Sequence, residues 1–296
     1  MSVFRKPFPG PSMVPNHMDQ TARNDIAIAF GSIAVEAGRA IMAVRGSGAG
    51  VQHKADGSPV TPADIDADRI ICQRLANLLP DVPVVTEEAS ETHAFAVAGR
   101  FILVDPLDGT REFTSGSDEF TVNIALIDRG EPVAGAVYAP ALNRLYVAGA
   151  SAFRADVRPA ERVPGLQAMR ALTTDAVSYE ALRAVASHSH LDSATRSWLD
   201  TRPIGELRSA GSSLKFCMIA EGEADVYPRL APTMEWDTAA GHAVLAAAGG
   251  CVVRADGSPL GYGKCEAGFR NESFIAWGTR HCCDSDRARA MLRDLN

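Results

Sequence analysis

Phe101-Ile102-Leu103-Val104-Asp105-Pro106-Leu107-Asp108-Gly109-Thr110-Arg111-Glu112-Phe113 is the stretch on which the reading of this chain turns. Phe101 to Val104 are four apolar residues in succession, as in a strand buried on both faces. The strand runs directly into Asp105 and Asp108, two carboxylates three residues apart. Like charges held that close on a rigid strand exit repel unless a cation lies between them. Pro106 fixes its own φ, so that the Leu107 carbonyl can turn toward the same space. Gly109 permits close approach of a ligand to the backbone, and Thr110 adds a hydroxyl and an N–H. Such a group suits a hard, oxygen-seeking cation with a phosphate beside it. Asp-Pro and Asp-Gly also make ordinary turns, and the local sequence alone leaves that reading open.

The rest of the composition narrows the chemistry. At 296 residues the chain can build one large core or two closely packed halves, and its 46% hydrophobic and 22% charged residues are those of a globular protein. A net charge of −7 argues against nucleic acid or an anionic membrane as partner. No apolar run approaches the roughly 20 residues of a membrane span. Residues 1–18 hold four prolines and no apolar signal region, and read as a disordered leader. The six cysteines show no regular framework and are expected as reduced thiols in a cytoplasmic protein. His281-Cys282-Cys283 lacks the second ligand pair of a zinc site.

Ile26, Phe30, Ile33, Ala37, Ile41 and Val44 recur at helical spacing and predict a long amphipathic helix over 19–44. Residues 52–60 carry hairpin signals. Thr61-Pro62-Ala63-Asp64 then reads as a helix start, with Thr61 as N-cap and Asp64 closing a capping box. A short strand over 83–86 ends in Glu87-Glu88. Strands over 120–127, 133–139 and 145–148 form an antiparallel meander. The second half alternates strands over 183–186, 204–208 and 224–227 with helices over 193–199, 213–221 and 237–248, and finishes with two strands and a short helix. The predicted fold class is α/β in a layered α+β sense, with mixed and antiparallel sheets. A leader (1–18) precedes an N-terminal half (19–160) that carries most of the acidic candidates. A C-terminal half (161–296) carries Asp237.

Glu87 and Asp105 each sit at the end of a strand, where open sheets place ligands. Asp237 opens a helix of small residues; helix capping is its plain alternative role, as it is for Asp64. Lys54 fits an exposed turn equally well.

Four segments occur in one order: Asp56–Asp64, Thr86-Glu87-Glu88, Asp105–Thr110 and Trp236–Gly241. Together they resemble the inositol monophosphatase family of magnesium-dependent, lithium-sensitive phosphatases, and the match runs from about residue 20 to near the C-terminus. The fold this implies is an αβαβα sandwich with the metal site between its halves. The stretches 209–217, 221–229 and 232–242 are most similar to the branch of the family that acts on nucleotide 3',5'-bisphosphates. The leader and residues 154–170 fall outside the resemblance.

What the resemblance implies is hydrolysis of the 3'-phosphate of adenosine 3',5'-bisphosphate to AMP and phosphate. Glu87, Asp105, the Leu107 carbonyl, Asp108 and Asp237 would coordinate two or three Mg²⁺, two of them sharing Asp105. One metal would activate water and the other steady the leaving oxygen. The N–H groups of Gly109 and Thr110 would hold phosphoryl oxygens. The Thr110 hydroxyl, oriented by Asp64 or Glu87, would position the attacking water. Glu87, Leu107, Asp108 and Asp237 also border the substrate. Lys215 and Arg229 are candidates for the second phosphate, and Ser187 and His188 for the nucleotide. An exposed helix charge, a surface ion pair and a satisfied loop histidine are the plain alternatives for Lys215, Arg229 and His188.

The implied setting is cytoplasmic, with peripheral attachment to the inner membrane left open, and the protein is expected as a monomer or homodimer. The alternatives are an inositol monophosphatase or other sugar-phosphate phosphatase on the same metal site, and a non-catalytic metal or nucleotide sensor.

Overall fold

Which faces of each segment are apolar determines the layering of the molecule. The computed structural model describes residues 18–47, 52–53, 59–94, 97, 99–187 and 191–280. Lys54, His188 and the expected C-terminal helix lie outside them, as do residues 1–17.

The first layer is the helix pair α1 (Gln20–Ser47) and α2 (Pro62–Leu78), linked through the short strands β1 (Gln52–His53) and β2 (Pro59–Val60). A seven-stranded sheet follows. It contains β3 (Val84–Thr86), β4 (Arg100–Asp108), β5 (Thr121–Asp128), β6 (Glu131–Ala139), β7 (Arg144–Ala148), β8 (Ala152–Asp156) and β9 (Arg170–Leu172), neighbours in chain order. The pair β3–β4 is parallel and the others are antiparallel. A single turn of helix, α3 (Thr110–Thr114), joins β4 to β5.

The second half begins with β10 (Leu182–Ser187), α4 (Ser193–Asp200), β11 (Ile204–Ala210), α5 (Leu214–Ala220) and β12 (Val226–Arg229). It continues with β13 (Thr233–Met234), α6 (Trp236–Ala248), β14 (Cys251–Arg254), β15 (Arg270–Asn271) and β16 (Phe274–Trp277). Five of these strands form a sheet ordered β11-β10-β12-β16-β14, while β13 and β15 pair separately.

Alternation along β4 shows how the layers bond. Ile102 and Val104 point into a core shared with α1 and α2, whereas Phe101 and Leu103 point into a second core shared with α5 and α6. Both faces are covered, so the strand reads as an unbroken apolar run. The second core also takes Val185, Tyr227, Val252 and Phe274 from the five-stranded sheet. The opposite face of that sheet buries Ala184, Val226, Ile275 and Trp277 against Trp198 and Leu199 of α4. The succession is helices, sheet, helices, sheet, helix.

Sandwiched between two sheets, α6 is buried nearly all round, which accounts for its Ala- and Gly-rich sequence. A Cβ on Gly241 would stand 2.5 Å from the Phe216 ring. By length and composition Gln20–Gly46 could cross a bilayer; in this fold half of its apolar window is buried. Gly38 lets α1 approach the sheet: an added Cβ would lie 2.5 Å from Tyr138 Cε1, on a ring with no exposed surface. Gly38→Ala is therefore expected to destabilise the protein in urea unfolding by about 1–2 kcal/mol, overpacking outweighing the gain in helix propensity.

Two expectations need correction. The strand that carries Asp105 does not stop at Val104 but continues as β4 to Asp108. Cys72, Cys217 and Cys265 are free thiols, as expected, but Cys251 is disulfide-bonded. Spacing along the chain does not reveal such a pair, because it is the fold that brings it together. Residues 154–170, to which the sequence attached no role, complete β8 and lead to β9. Arg154 there forms a 2.6 Å ion pair with the buried Glu221.

Candidate active site

The pairing of β3 with β4 brings the first two acidic side chains together. Thr86 lies opposite Val104, so Glu87, just past the end of β3, comes beside Asp105 within β4, and the Glu87 N–H donates to the Val104 carbonyl at 3.2 Å. Asp108 joins them through an irregularity. Asp105 faces Asn123 and Asp108 faces Thr121, so β4 has two residues between these pairs where β5 has one. This bulge brings residues three apart onto one face. Pro106 belongs here because a bulge needs no ladder hydrogen bond from it.

Asp237 arrives from the other half on the first turn of α6. Its carboxylate accepts from the Met234 N–H at 2.9 Å and from the Thr233 hydroxyl. Glu87, Asp105 and Asp237 present oxygens that all lie within 4.8 Å of one another. Burial, reinforced by the charges of Glu87, Asp108 and Asp237, pushes the Asp105 carboxyl far above the ordinary carboxylate range. Burial, with Asp108 and Glu87, pushes Asp237 up to about 7. Among the described residues no lysine or arginine makes an ion pair with Asp105, Asp108 or Asp237. Oxygen donors crowded in this way fit a hard divalent cation.

Asp64 performs both tasks the sequence offered it. One oxygen accepts from the Thr61 N–H and hydroxyl at 2.7 Å each and completes the capping box of α2. The other accepts from the Thr110 hydroxyl at 3.1 Å. Burial raises its pKa. The Thr110 hydroxyl also lies 3.2 Å from the Leu107 carbonyl. Gly109 precedes Thr110 with φ at +91°, a conformation that favours glycine.

The acidic cluster lines a cavity of about 620 Å³ that Thr110, Ser187, Lys215, Arg229 and Trp236 also border. The plain reading of Lys215 as an exposed helix charge fails. Its side chain is buried, and the ammonium donates to the carbonyls of Ser212 at 2.5 Å and Ala210 at 3.3 Å, 5.2 Å from the Tyr227 ring centre. Arg229 reaches the Pro232 carbonyl at 3.4 Å, and its buried Nε has no hydrogen-bond partner.

Several supporting residues carried no role in the sequence reading. Ser212, at φ +54°, donates to Asp108 at 2.6 Å and is bonded to the Thr121 hydroxyl. Asn123 donates to Asp108 at 3.2 Å. The signal for Thr121 and Asn123 was their alternation within an otherwise apolar strand. Ser212 lies in the stretch 209–217 that carries the resemblance, but its loop meets Asp108 only in the folded chain. On the far wall His93 stacks on Trp236 with ring centres 4.7 Å apart. Behind Asp237, burial lowers the His242 pKa to about 4, and the neutral ring bonds the Tyr262 hydroxyl at 3.0 Å.

Comparison with known proteins agrees with this geometry. The 3'(2'),5'-bisphosphate nucleotidase CysQ of Escherichia coli K12 is 45% identical over 228 residues, which is 76% of this chain and 87% of the relative. The CysQ nucleotidase of Salmonella typhimurium LT2 is 42% identical over 248 residues, covering 82% and 95%. The crystal structure of CysQ from Bacteroides thetaiotaomicron, a bacterial member of the inositol monophosphatase family, superposes with a TM-score of 0.73 at 37% identity. It covers 87% of this chain and 98% of that one. The profile of the inositol monophosphatase family itself matches residues 22–282. With four carboxylates converging as the motifs require and a match of this extent, the chain belongs to the inositol monophosphatase family.

Proposed function

We propose that this protein is a 3'(2'),5'-bisphosphate nucleotidase that removes the 3'-phosphate of adenosine 3',5'-bisphosphate, leaving AMP and phosphate. The observation that carries the reading is one cavity that contains both the acidic cluster and two cations, the buried Lys215 and the half-buried Arg229. A monophosphate of a neutral sugar or inositol has no second phosphate to match such cations. The likeness to the CysQ nucleotidases supports the same substrate class.

Glu87, Asp105, the Leu107 carbonyl, Asp108 and Asp237 would hold Mg²⁺, with two or three ions per site. Bound there, the metal supplies a Lewis acid for the phosphoryl oxygens and lowers the pKa of water. The remaining work falls to the chain. The Thr110 hydroxyl donates to Asp64, which leaves its lone pairs to accept a hydrogen bond from the attacking water and direct that oxygen toward phosphorus. The N–H groups of Gly109 and Thr110 hold phosphoryl oxygens as charge builds on them. Ser212, Thr121 and Asn123 keep Asp108 in one orientation. Lys215 and Arg229 receive the 5'-phosphate, and Ser187 borders the nucleoside.

Phosphate release with Mg²⁺ should be compared for adenosine 3',5'-bisphosphate, its 5'-phosphosulfate analogue, inositol 1-phosphate and fructose 1,6-bisphosphate. The nucleotide bisphosphate is expected to win by at least about tenfold in kcat/KM, since one charge-assisted phosphate contact already exceeds 1.4 kcal/mol. Preference for inositol phosphate would replace this reading with a monophosphatase. Absence of turnover on all four would favour a sensor.

A further inference from the structure

Glu87 and Asp237 come to the cluster from different halves of the chain, and one side chain touches the residue before each of them. In its sheet β3 pairs only with β4, and the Glu87 N–H donates to the Val104 carbonyl. Backbone groups of successive strand residues point to opposite sides, so the N–H and C=O of Thr86 face away from β4. The short 3-10 helix Ser90–Ala94 satisfies both. The Thr92 hydroxyl accepts from the Thr86 N–H at 3.2 Å, and the His93 Nε2–H donates to the Thr86 carbonyl at 2.8 Å. A carbonyl only accepts, so Nε2 carries the proton. The same imidazole stacks on Trp236, with ring centres 4.7 Å apart and planes 24° from parallel. Trp236 is buried, packs against Phe269 and immediately precedes Asp237.

We propose that His93 is a positioning residue of the metal centre: by joining Thr86 to Trp236 it holds Glu87 and Asp237 at the separation that one shared cation needs. The inference rests on the reading that these carboxylates bind Mg²⁺. Their oxygens, with those of Asp105, lie within 4.8 Å of one another, and without a cation their charges repel. Glu87 follows a strand of only three residues and Asp237 is in the first turn of α6, so both stand where an element is most easily displaced. A ring held at its edge by a hydrogen bond and at its face by an indole resists that displacement. The ligands then stay preorganised, and metal binding does not have to reassemble them. His93 also borders the cavity, so direct contact with substrate is the competing role.

Titration with Mn²⁺, a hard divalent ion that takes the same oxygen donors, reads metal affinity without substrate when followed by the electron paramagnetic resonance of the free ion. His93→Ala removes both contacts and is expected to weaken the affinity at least about tenfold, as loss of a group that orients a metal ligand does. His93→Phe keeps a ring on Trp236 without the donor and should fall between that variant and the parent. In phosphate release, His93→Ala should need more Mg²⁺ for half-maximal activity. Once metal saturates, it should recover most of the parent's kcat, with an unchanged KM for adenosine 3',5'-bisphosphate. Urea unfolding in chelator verifies that each variant is folded; should His93→Ala fail to fold, His93→Phe carries the comparison alone. Parent-like Mn²⁺ affinity in the folded variants would overturn the proposal. So would a raised KM at saturating metal with affinity unaltered, which would make His93 a substrate contact. A parent that binds no Mn²⁺ would overturn the metal reading itself and this proposal with it.

Discussion

Asp105→Asn is expected to fold, to lose phosphate release by roughly 10³-fold or more, and to be more stable than the parent once metal is removed. Replacing residues that merely support a metal ligand typically costs 10–100-fold, so removing charge from the ligand at the centre of the cluster must exceed that. The gain in stability has the same origin. Asp105 is buried and faces Glu87, Asp108 and Asp237, so its ionised form is held at high energy by the fold. An amide of the same shape removes that repulsion and keeps the acceptor that the Leu107 N–H needs, 3.0 Å away. Sites built for function at the expense of stability behave in this way. Parent-like turnover, or a metal-free melting point below the parent's, would remove Asp105 from the centre of the site.

Acidification should stabilise the metal-free protein, opposite to the usual behaviour of paired carboxylates. Asp237 titrates near 3.8 when unfolded and at about 7 in the folded chain. Between those values the folded state binds the extra proton, so stability is full below pH 4 and declines as pH rises through 7. The slope contributed by one such group is at most about 1.4 kcal/mol per pH unit, and Asp105, shifted in the same direction, adds to it. Mg²⁺ reverses the trend because it binds the deprotonated carboxylates, so its stabilising effect should grow from pH 5 to pH 8. Urea unfolding at these pH values, in chelator and in Mg²⁺, measures both arms. Asp237→Asn run alongside separates this contribution from that of other carboxylates. Metal-free stability that stays flat or rises from pH 5 to pH 8 would contradict the crowding of charge in the site.

Much of the molecule was legible in its residues because local chemistry and tertiary position agree there. The Thr61-Pro62-Ala63-Asp64 cap, the strand through Val104 and the meander that follows depend on neighbours in sequence, and the structure has them. The acidic motifs converge in the fold, where Glu87, Asp105 and Asp237 bring oxygens within 4.8 Å of one another. What stayed hidden depends on contacts between distant segments. The bulge between Asp105 and Asp108 is a property of β4 and β5 together. Ser212 meets Asp108 across 104 positions. The span 204–208 reads as a strand from its alternation, but alternation does not tell an edge from a centre, and β11 is an edge.

One bond of Asp64 ties the enzyme's temperature behaviour to a very small part of it. The same carboxylate ends the first turn of α2 and holds the Thr110 hydroxyl. Helix ends fray at temperatures far below global melting. Loosening of that single turn would free the hydroxyl while every sheet is still intact. Heat inactivation should therefore precede unfolding, and stiffening residues 61–64 would widen the working range without altering any group that touches substrate.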